Sequence, residues 1–190
     1  MPEGPAGELW LVRHGETEWS RDGRHTSTTD VPLTDAGVAV ATTLAERLAD
    51  EPFGLVLTSP RQRARRTAEL AGFADAHVEP DLVEWDYGDY EGLSTEEIRR
   101  TVPGWSVWSH GCPGGESAEQ VGRRLDRVVA EARAYGGRVL VFGHGHALRV
   151  LTARWLGQPA EDGRSYRLDT ATVGALGYER ESPVLLRWNC

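Results

Sequence analysis

The run Arg138-Val-Leu-Val-Phe-Gly-His-Gly-His146 decides the fold. Its first five residues, Arg138 to Phe142, form a compact apolar block of the kind that makes a buried strand. Through Gly143 it gives way to a glycine-punctuated turn carrying two histidines. From His144 to Leu156 the apolar spacing becomes helical, so the stretch reads as strand, loop and helix. Glu8 to Arg13 repeats the pattern and leads into His14-Gly15, and Gly54 to Thr58 leads into Ser59-Pro60 and a helix through Leu70. Alternation of this kind predicts an α/β fold, a three-layer α/β/α sandwich with a mostly parallel central sheet.

The helices carry their own punctuation. Thr34 precedes DAGVAVATTLAERLAD, where Val38, Ala41, Ala45 and Leu48 make one apolar face and Pro52 closes the element. Ser59-Pro60 has the form of a Ser N-cap with Pro at the first helical position. Ser94 with Glu97 and Ser117 with Gln120 have capping-box spacing, the first opening a short helix to Val102 and the second a longer one to Tyr135. Thr172 to Tyr178 and Val184 to Trp188 are strand-like. Residues 1–7, rich in Pro and Gly, are expected to be loose. With 190 residues the remainder, 8–190, fits one domain of ordinary size.

Composition narrows the class. Hydrophobic residues at 39% and charged ones at 26% match a folded globular chain. The 29 acidic against 21 basic residues give a net charge of −8, which disfavours a nucleic-acid partner. All 21 basic residues are arginine, so lysine Schiff-base chemistry and a Walker-A lysine are excluded. Apolar runs fall short of the ~18–20 residues that span a bilayer, and the N-terminus lacks a signal-like pattern, so a cytoplasmic protein without a membrane partner is expected. Two cysteines, Cys112 in a Gly/Pro loop and Cys190 at the end, do not indicate a disulfide framework.

Ligands of open α/β sheets sit beyond the carboxyl ends of the strands. Three such ends carry reactive groups: Arg13-His14-Gly15; Thr58-Ser59-Pro60 followed by Arg61, Arg63, Arg65 and Arg66; and Gly143-His144-Gly145-His146. Each alone reads equally well as surface or capping residues. Gathered at one sheet edge, two imidazoles and two or more guanidiniums suit a dianionic phosphate and would repel a metal ion. Gly145 and its neighbours let backbone approach an anion. His144 with His146 as half a zinc site would need a third ligand at useful spacing.

The segments LVRHGETEWS (11–20), TSPRQRARRTA (58–68), LVEWDYGDYEG (82–92) and VFGHGHALR (141–149) resemble, in order, the motifs of the histidine phosphatase superfamily, the phosphoglycerate mutase-like proteins. The resemblance implies the mutase-like fold, no cofactor, no metal, and a phosphohistidine formed on His14. It assigns phosphate binding to Arg13 and Arg63, the second catalytic histidine to His144, and proton donation to Glu84, with Asp86 the nearest rival. Thr26 and Ser20 fall on phosphate-side positions, although Ser20 stands where mutases have Asn and Ser27 where Gly is common. Arg61, Arg65 and Arg66 fall on the surface, and His146 on a variable position of substrate-side or structural character. A protonated His144 would join the arginines in neutralising the transferred group.

The short stretch from Gly92 to Gly115 lacks the insertion with which mutases close over their intermediate, so hydrolysis is favoured over transfer. EWDYGDYEG and WSVWSHGCPGGES resemble a branch containing sedoheptulose bisphosphatase and broad acid phosphatases. Trp85, Tyr87, Trp105 and Trp108 are therefore candidates for lining a leaving-group pocket, with His110 and Cys112 at its rim, though packing explains the aromatics equally well. The expected partner is a small phosphorylated metabolite, a sugar phosphate or bisphosphate first; a homo-oligomer is left open. The rival readings are mutase-type transfer and a catalytically silent interaction protein, whose mark would be loss of one of the residues His14, Arg13, Arg63, Glu84 and His144.

Overall fold

The computed structural model describes residues 7–190; the expected loose segment 1–7 lies, but for Gly7, outside them. The strands are β1 (Glu8–Arg13), β2 (Leu55–Thr58), β3 (His77–Val78), β4 (Arg138–Gly143), β5 (Val173–Glu179) and β6 (Ser182–Arg187). The helices are α1 (Glu18–Arg21), α2 (Asp35–Leu48), α3 (Gln62–Leu70), α4 (Thr95–Thr101), α5 (Val107–His110), α6 (Ala118–Tyr135) and α7 (Gly145–Trp155). One six-stranded sheet runs in the order β3-β2-β4-β1-β5-β6. The first four strands are parallel, and β5 and β6 join antiparallel at one side.

Strand side chains alternate with period two, and both faces of the central strands are apolar, as burial between two helical layers requires. Leu9, Leu11, Val139 and Val141 pack with Val121, Leu125 and Val128 of α6 and Leu148 and Leu151 of α7. Trp10, Val12, Leu140 and Phe142 pack on the opposite side with Ala41, Leu44 and Leu48 of α2 and Ala68 of α3. The expected three layers are present. The inward face of α2 differs from the sequence expectation: Gly37, Ala41, Leu44 and Leu48 are buried, while Ala45 lies at the margin of that stripe.

Both capping boxes form, Ser94 with Glu97 and Ser117 with Gln120 exchanging side-chain and backbone bonds. The expected Ser59 cap does not. Helix α3 starts at Gln62 with Arg61 at the N-cap, and the Gln62 N–H is taken by Asp30 Oδ1 at 2.9 Å. The Ser59 hydroxyl is committed elsewhere, to His144. No helix among the described residues is long and apolar enough to cross a membrane.

The loop after β1 is fixed from the other side of the chain by α2. The Thr34 N–H donates to the Glu16 carbonyl at 2.9 Å, and the Thr34 hydroxyl donates to Glu16 Oε1 at 2.8 Å. Backbones touch here: a Cβ on Gly37 would lie 2.2 Å from the Glu16 carbonyl oxygen, and one on Gly15 would lie 2.8 Å from that of Gly37. Neither neighbour is a flexible side chain that can swing aside. Gly37→Ala is expected to cost about 1–3 kcal/mol through overpacking, read as a lower urea midpoint, and to displace the His14 loop. An unchanged midpoint would show that the helix can shift without strain.

Candidate functional site

Strands β1 and β4 run in parallel register with Arg13 opposite Gly143, and the His14 N–H donates to the Gly143 carbonyl at 3.0 Å. The next residues, His14 and His144, leave the sheet together, their ring centroids 5.3 Å apart and edge to face. His14 Nδ1 lies 2.7 Å from the Gly15 carbonyl. A carbonyl can only accept, so Nδ1 carries the proton and Nε2 keeps its lone pair. Burial, then the charges of Arg63 and Arg13, hold the His14 pKa well below the usual histidine value. The ring is neutral, with its nucleophilic nitrogen available.

His144 is fully buried, and its Nε2 lies 2.7 Å from Ser59 Oγ. That oxygen also accepts the Arg61 N–H at 3.3 Å and has no other acceptor for its proton among the described residues, so the hydroxyl donates to Nε2 and the imidazole proton remains on Nδ1. Burial, then Arg63 and His14, keep this ring neutral as well. The structure thus differs from the expected protonated His144: a cation there would face the guanidinium of Arg63 in a buried setting. As a neutral Nδ1–H donor it still offers a hydrogen bond.

Arg13 lies over Gly145, where a Cβ would come within 3.2 Å of its guanidinium carbon, and it donates to the Leu168 carbonyl at 2.6 Å. Arg63 is fully buried and donates to the carbonyls of Thr29, Thr26 and Ser27. Arg13 Nε, Arg63 Nε, Arg61 Nε and His144 Nδ1 are buried and have no partner among the described residues. Buried donors without acceptors are rare. A cluster made only of N–H groups is the complement of an oxyanion. Arg61 is half-buried, not on the surface as expected, because Ser59 and His144 draw the start of α3 against β4.

Glu84 is placed by the first turn of α7. Its Oε1 accepts from the Ala147 and Trp85 N–H groups, each at 2.8 Å, and its Oε2 accepts from the His146 N–H at 3.1 Å. Asp86, the rival acid, instead has a carboxylate oxygen bonded to the Gly88 N–H at 2.9 Å. Glu84, Arg63 and His144 are buried behind the opening, whereas Arg13, His14, Ser20, Thr26, Tyr87 and Gly145 line a cavity of about 220 Å³. The Ser20 hydroxyl closes a capping box with Thr17, and the Thr26 hydroxyl donates to the Arg24 carbonyl at 3.0 Å, so both protons are already engaged.

The expected aromatic lining is only partly met. Trp85 is fully buried, with its indole N–H on the Glu116 carbonyl, and Trp105 is likewise core. Trp108 packs on Trp85 and under Arg149, backing the site without facing it. His110 is exposed at the end of α5, with Nδ1 2.8 Å from the Ser109 hydroxyl. Trp85, Trp105 and Val107 complete the core instead. Burial, then Asp86, pushes the Cys112 thiol up to about 12, so it stays protonated and unreactive.

Four cavity or support residues escaped the sequence reading. Arg149, His25 and Arg24 line the cavity. Arg124 forks onto Glu116 at 2.9 and 3.0 Å and donates to the carbonyls of Asp81, Val83 and Glu84. It therefore holds the chain that delivers Glu84. Its signal was present: Val121, Arg124, Leu125 and Val128 share helical spacing, putting a cation on a buried face.

A model of the histidine phosphatase superfamily (branch 1) matches residues 9–190. The chain belongs to that superfamily. It is 45% identical over 177 residues to an acid phosphatase of Mycobacterium tuberculosis, covering 90% of this chain and 86% of the relative. It is 37% identical over 180 residues to the sedoheptulose 1,7-bisphosphatase of Saccharomyces cerevisiae, covering 77% of this chain and 66% of the yeast protein. A solved structure of an open reading frame product from Mycobacterium tuberculosis superposes with a TM-score of 0.93 at 42% identity, covering 96% of this chain and 97% of that one. As a histidine phosphatase, the protein falls among the phosphoric monoester hydrolases.

Two outcomes follow from the neutral imidazoles. His14, His25, His144 and His146 all have pKa values below the ordinary ~6.5, burial being the first cause in each. As pH falls through ~6.5 the unfolded chain binds protons that the native state refuses, so native stability is full above that pH and declines below it. The Tm is expected to drop between pH 7.5 and 5.5, a window above ordinary carboxylate titration; a flat Tm there would contradict neutral buried rings. Ser59→Ala leaves the buried His144 Nε2 unbonded, a loss of about 1–3 kcal/mol. If that loss is felt in the transition state, phosphomonoester turnover falls roughly 5- to 150-fold, measured as kcat.

Proposed function

We propose that the protein hydrolyses phosphomonoesters in two displacements through a phosphohistidine on His14, with sugar phosphates or bisphosphates as its substrates. The observation that carries this reading is the commitment of His14 Nδ1 to the Gly15 carbonyl, which leaves Nε2 as a lone pair at a cavity lined by Arg13. In the first displacement Nε2 attacks phosphorus and the bond to the leaving oxygen breaks, that oxygen taking a proton from Glu84. In the second, Glu84 takes a proton from water, the water oxygen attacks phosphorus, and the P–N bond breaks to release inorganic phosphate and restore the His14 lone pair. Arg13 and Arg63, with the His144 Nδ1–H, supply donors where charge accumulates on the equatorial oxygens. Fixed guanidiniums fill the role that a metal ion would take in other phosphatases, so the reaction is proposed to need none.

The bisphosphate reading rests on a second cation beyond the reacting end. Arg149 borders the same cavity and is held rigidly, Nε on the Gly163 carbonyl at 3.0 Å, Nη2 on that of Arg164 at 2.8 Å, and the guanidinium stacked 4.7 Å over Trp108. The relatives named acid phosphatase and sedoheptulose 1,7-bisphosphatase support the same choice.

The test is phosphate release from a panel of phosphorylated metabolites and p-nitrophenyl phosphate, with chelator present throughout. His14→Ala should reduce the rate at least about 10³-fold, since the covalent route is lost, and digestion at alkaline pH of base-quenched wild-type enzyme, where the acid-labile P–N bond survives, should recover labelled phosphate on His14. Glu84→Gln should slow alkyl phosphates by roughly 10²–10⁴ but p-nitrophenyl phosphate far less, because that leaving group needs no proton. Equal, negligible rates for wild type and His14→Ala would overturn the enzyme reading. Equilibration of 2- and 3-phosphoglycerate without phosphate release would replace it with a mutase.

A further inference from the structure

Two imidazoles that play no part in the displacement steps share the cavity wall. The rings of His25 and His146 are nearly parallel, 8° apart in plane, with centroids separated by 6.0 Å. Both residues line the cavity beside Arg13 and His14. His25 is wedged edge-on against Tyr87 at 4.7 Å and Trp105 at 5.2 Å, and His146 against Trp108 at 5.2 Å and Tyr87 at 5.8 Å. Trp105 and Trp108, which do not line the cavity, and Tyr87, which does, thus hold the two rings in place.

Hydrogen bonds give the rings opposite polarity. His25 Nδ1 lies 2.7 Å from the Leu93 carbonyl, so Nδ1 carries the proton and Nε2 is an acceptor. His146 Nδ1 lies 2.6 Å from the hydroxyl of Tyr87, and Tyr87 is buried with that nitrogen as its hydroxyl's partner. A buried phenol gives its proton to the available acceptor. The remaining proton of His146 therefore sits on Nε2, making that nitrogen a donor. Neither Nε2 is bonded to protein, and neither belongs to the sealed-off polar atoms, so both open on the cavity. Burial, joined for His146 by the nearby arginines, keeps both rings uncharged.

A neutral acceptor next to a neutral donor offers little to a phosphate, whose oxygens the His25 lone pair repels. It matches a hydroxyl, which donates and accepts through a single oxygen. The geometry points to the His25–His146 pair as a hydroxyl-reading wall that selects phosphomonoesters bearing hydroxyls on the carbons next to the phosphate, polyol or sugar phosphates, over plain alkyl or aryl ones. This deepens the phosphatase reading and rests on it. The acceptor from His25, the donor from His146 and the guanidiniums of Arg13 and Arg149 together supply the mixed set that a chain of hydroxyls needs.

Glycerol 3-phosphate and propyl phosphate test this directly, since they share the phosphate and the carbon chain and differ in two hydroxyls. Wild type is expected to favour glycerol 3-phosphate in kcat/KM by at least about tenfold, because a site built for a hydroxyl rejects the analogue without one. In His25→Phe the preference should collapse toward unity, chiefly through KM for glycerol 3-phosphate, and His25→Gln, which restores an acceptor, should recover part of it. Tyr87→Phe removes the proton that sets the His146 tautomer and should also weaken the preference; it serves where His25→Phe fails to fold. If wild type cleaves both esters without preference, or if His25→Phe and Tyr87→Phe keep the wild-type ratio while still hydrolysing propyl phosphate, the hydroxyl-reading role is overturned and the phosphatase reading stands. If wild type releases phosphate from neither ester nor from p-nitrophenyl phosphate, both fail.

Discussion

The parallel pairing of Arg13 with Gly143 is the constraint on which the site depends. A one-residue slip of β1 against β4 would turn every side chain to the opposite face. Both cores forbid it, since Leu9 and Leu11 belong to one and Trp10 and Val12 to the other. Because the register is locked by apolar packing on two sides, His14 and His144 emerge at the same level. The glycines that follow them let α2 and Arg13 come close. The chemistry is therefore positioned by the sheet, and the loops add to it without having to find it.

That position explains how an acidic chain can take an anionic ligand. The net charge of −8 is carried mostly at the surface, whereas the buried groups around His14 are guanidiniums and imidazoles, with Glu84 the one buried carboxylate among the described residues. In a dry pocket a nearby guanidinium acts through a lower effective dielectric than surface carboxylates do through water. The same arginines that would hold an anion also keep the imidazoles uncharged, as the depressed pKa values of His14 and His144 reflect. A dianion entering the site would offset the repulsion that suppresses protonation, so the electrostatics of the empty and occupied states differ in a definite direction.

The sequence revealed what is written locally and hid what is written across distance. Strand ends, glycine turns and capping boxes each lie within a few residues, and the three strand-end motifs could be read from them. The roles of Ser59, His25 and Arg124 depend on contacts 40 to 85 residues away. Ser59 is locally an ordinary helix cap, and only the neighbouring strand supplies the imidazole that claims its hydroxyl. Trp85 and Trp108 were ambiguous for a related reason: an aromatic beside a site and an aromatic in the core have the same sequence appearance. His110 sits on a four-residue helix whose direction no periodicity could fix.

The absence of lysine takes on a structural meaning in this light. Arg124 makes five hydrogen bonds, two to a carboxylate and three to carbonyls of the segment that carries Glu84. Arg63 ties three carbonyls of the loop bearing Thr26, and Arg149 ties two near Gly163 while stacking on Trp108. Each of these uses a planar fork with several fixed donors, which an ammonium on a flexible stem cannot reproduce. The arginines are thus more than surface charge. Where lysine would supply a point charge, guanidinium fastens backbone in several directions, and that of Arg149 also presents charge to the cavity. Replacing one with lysine would keep the net charge while releasing the segment it holds, so the geometry of Glu84 depends on the shape of the cation at position 124 as much as on its sign.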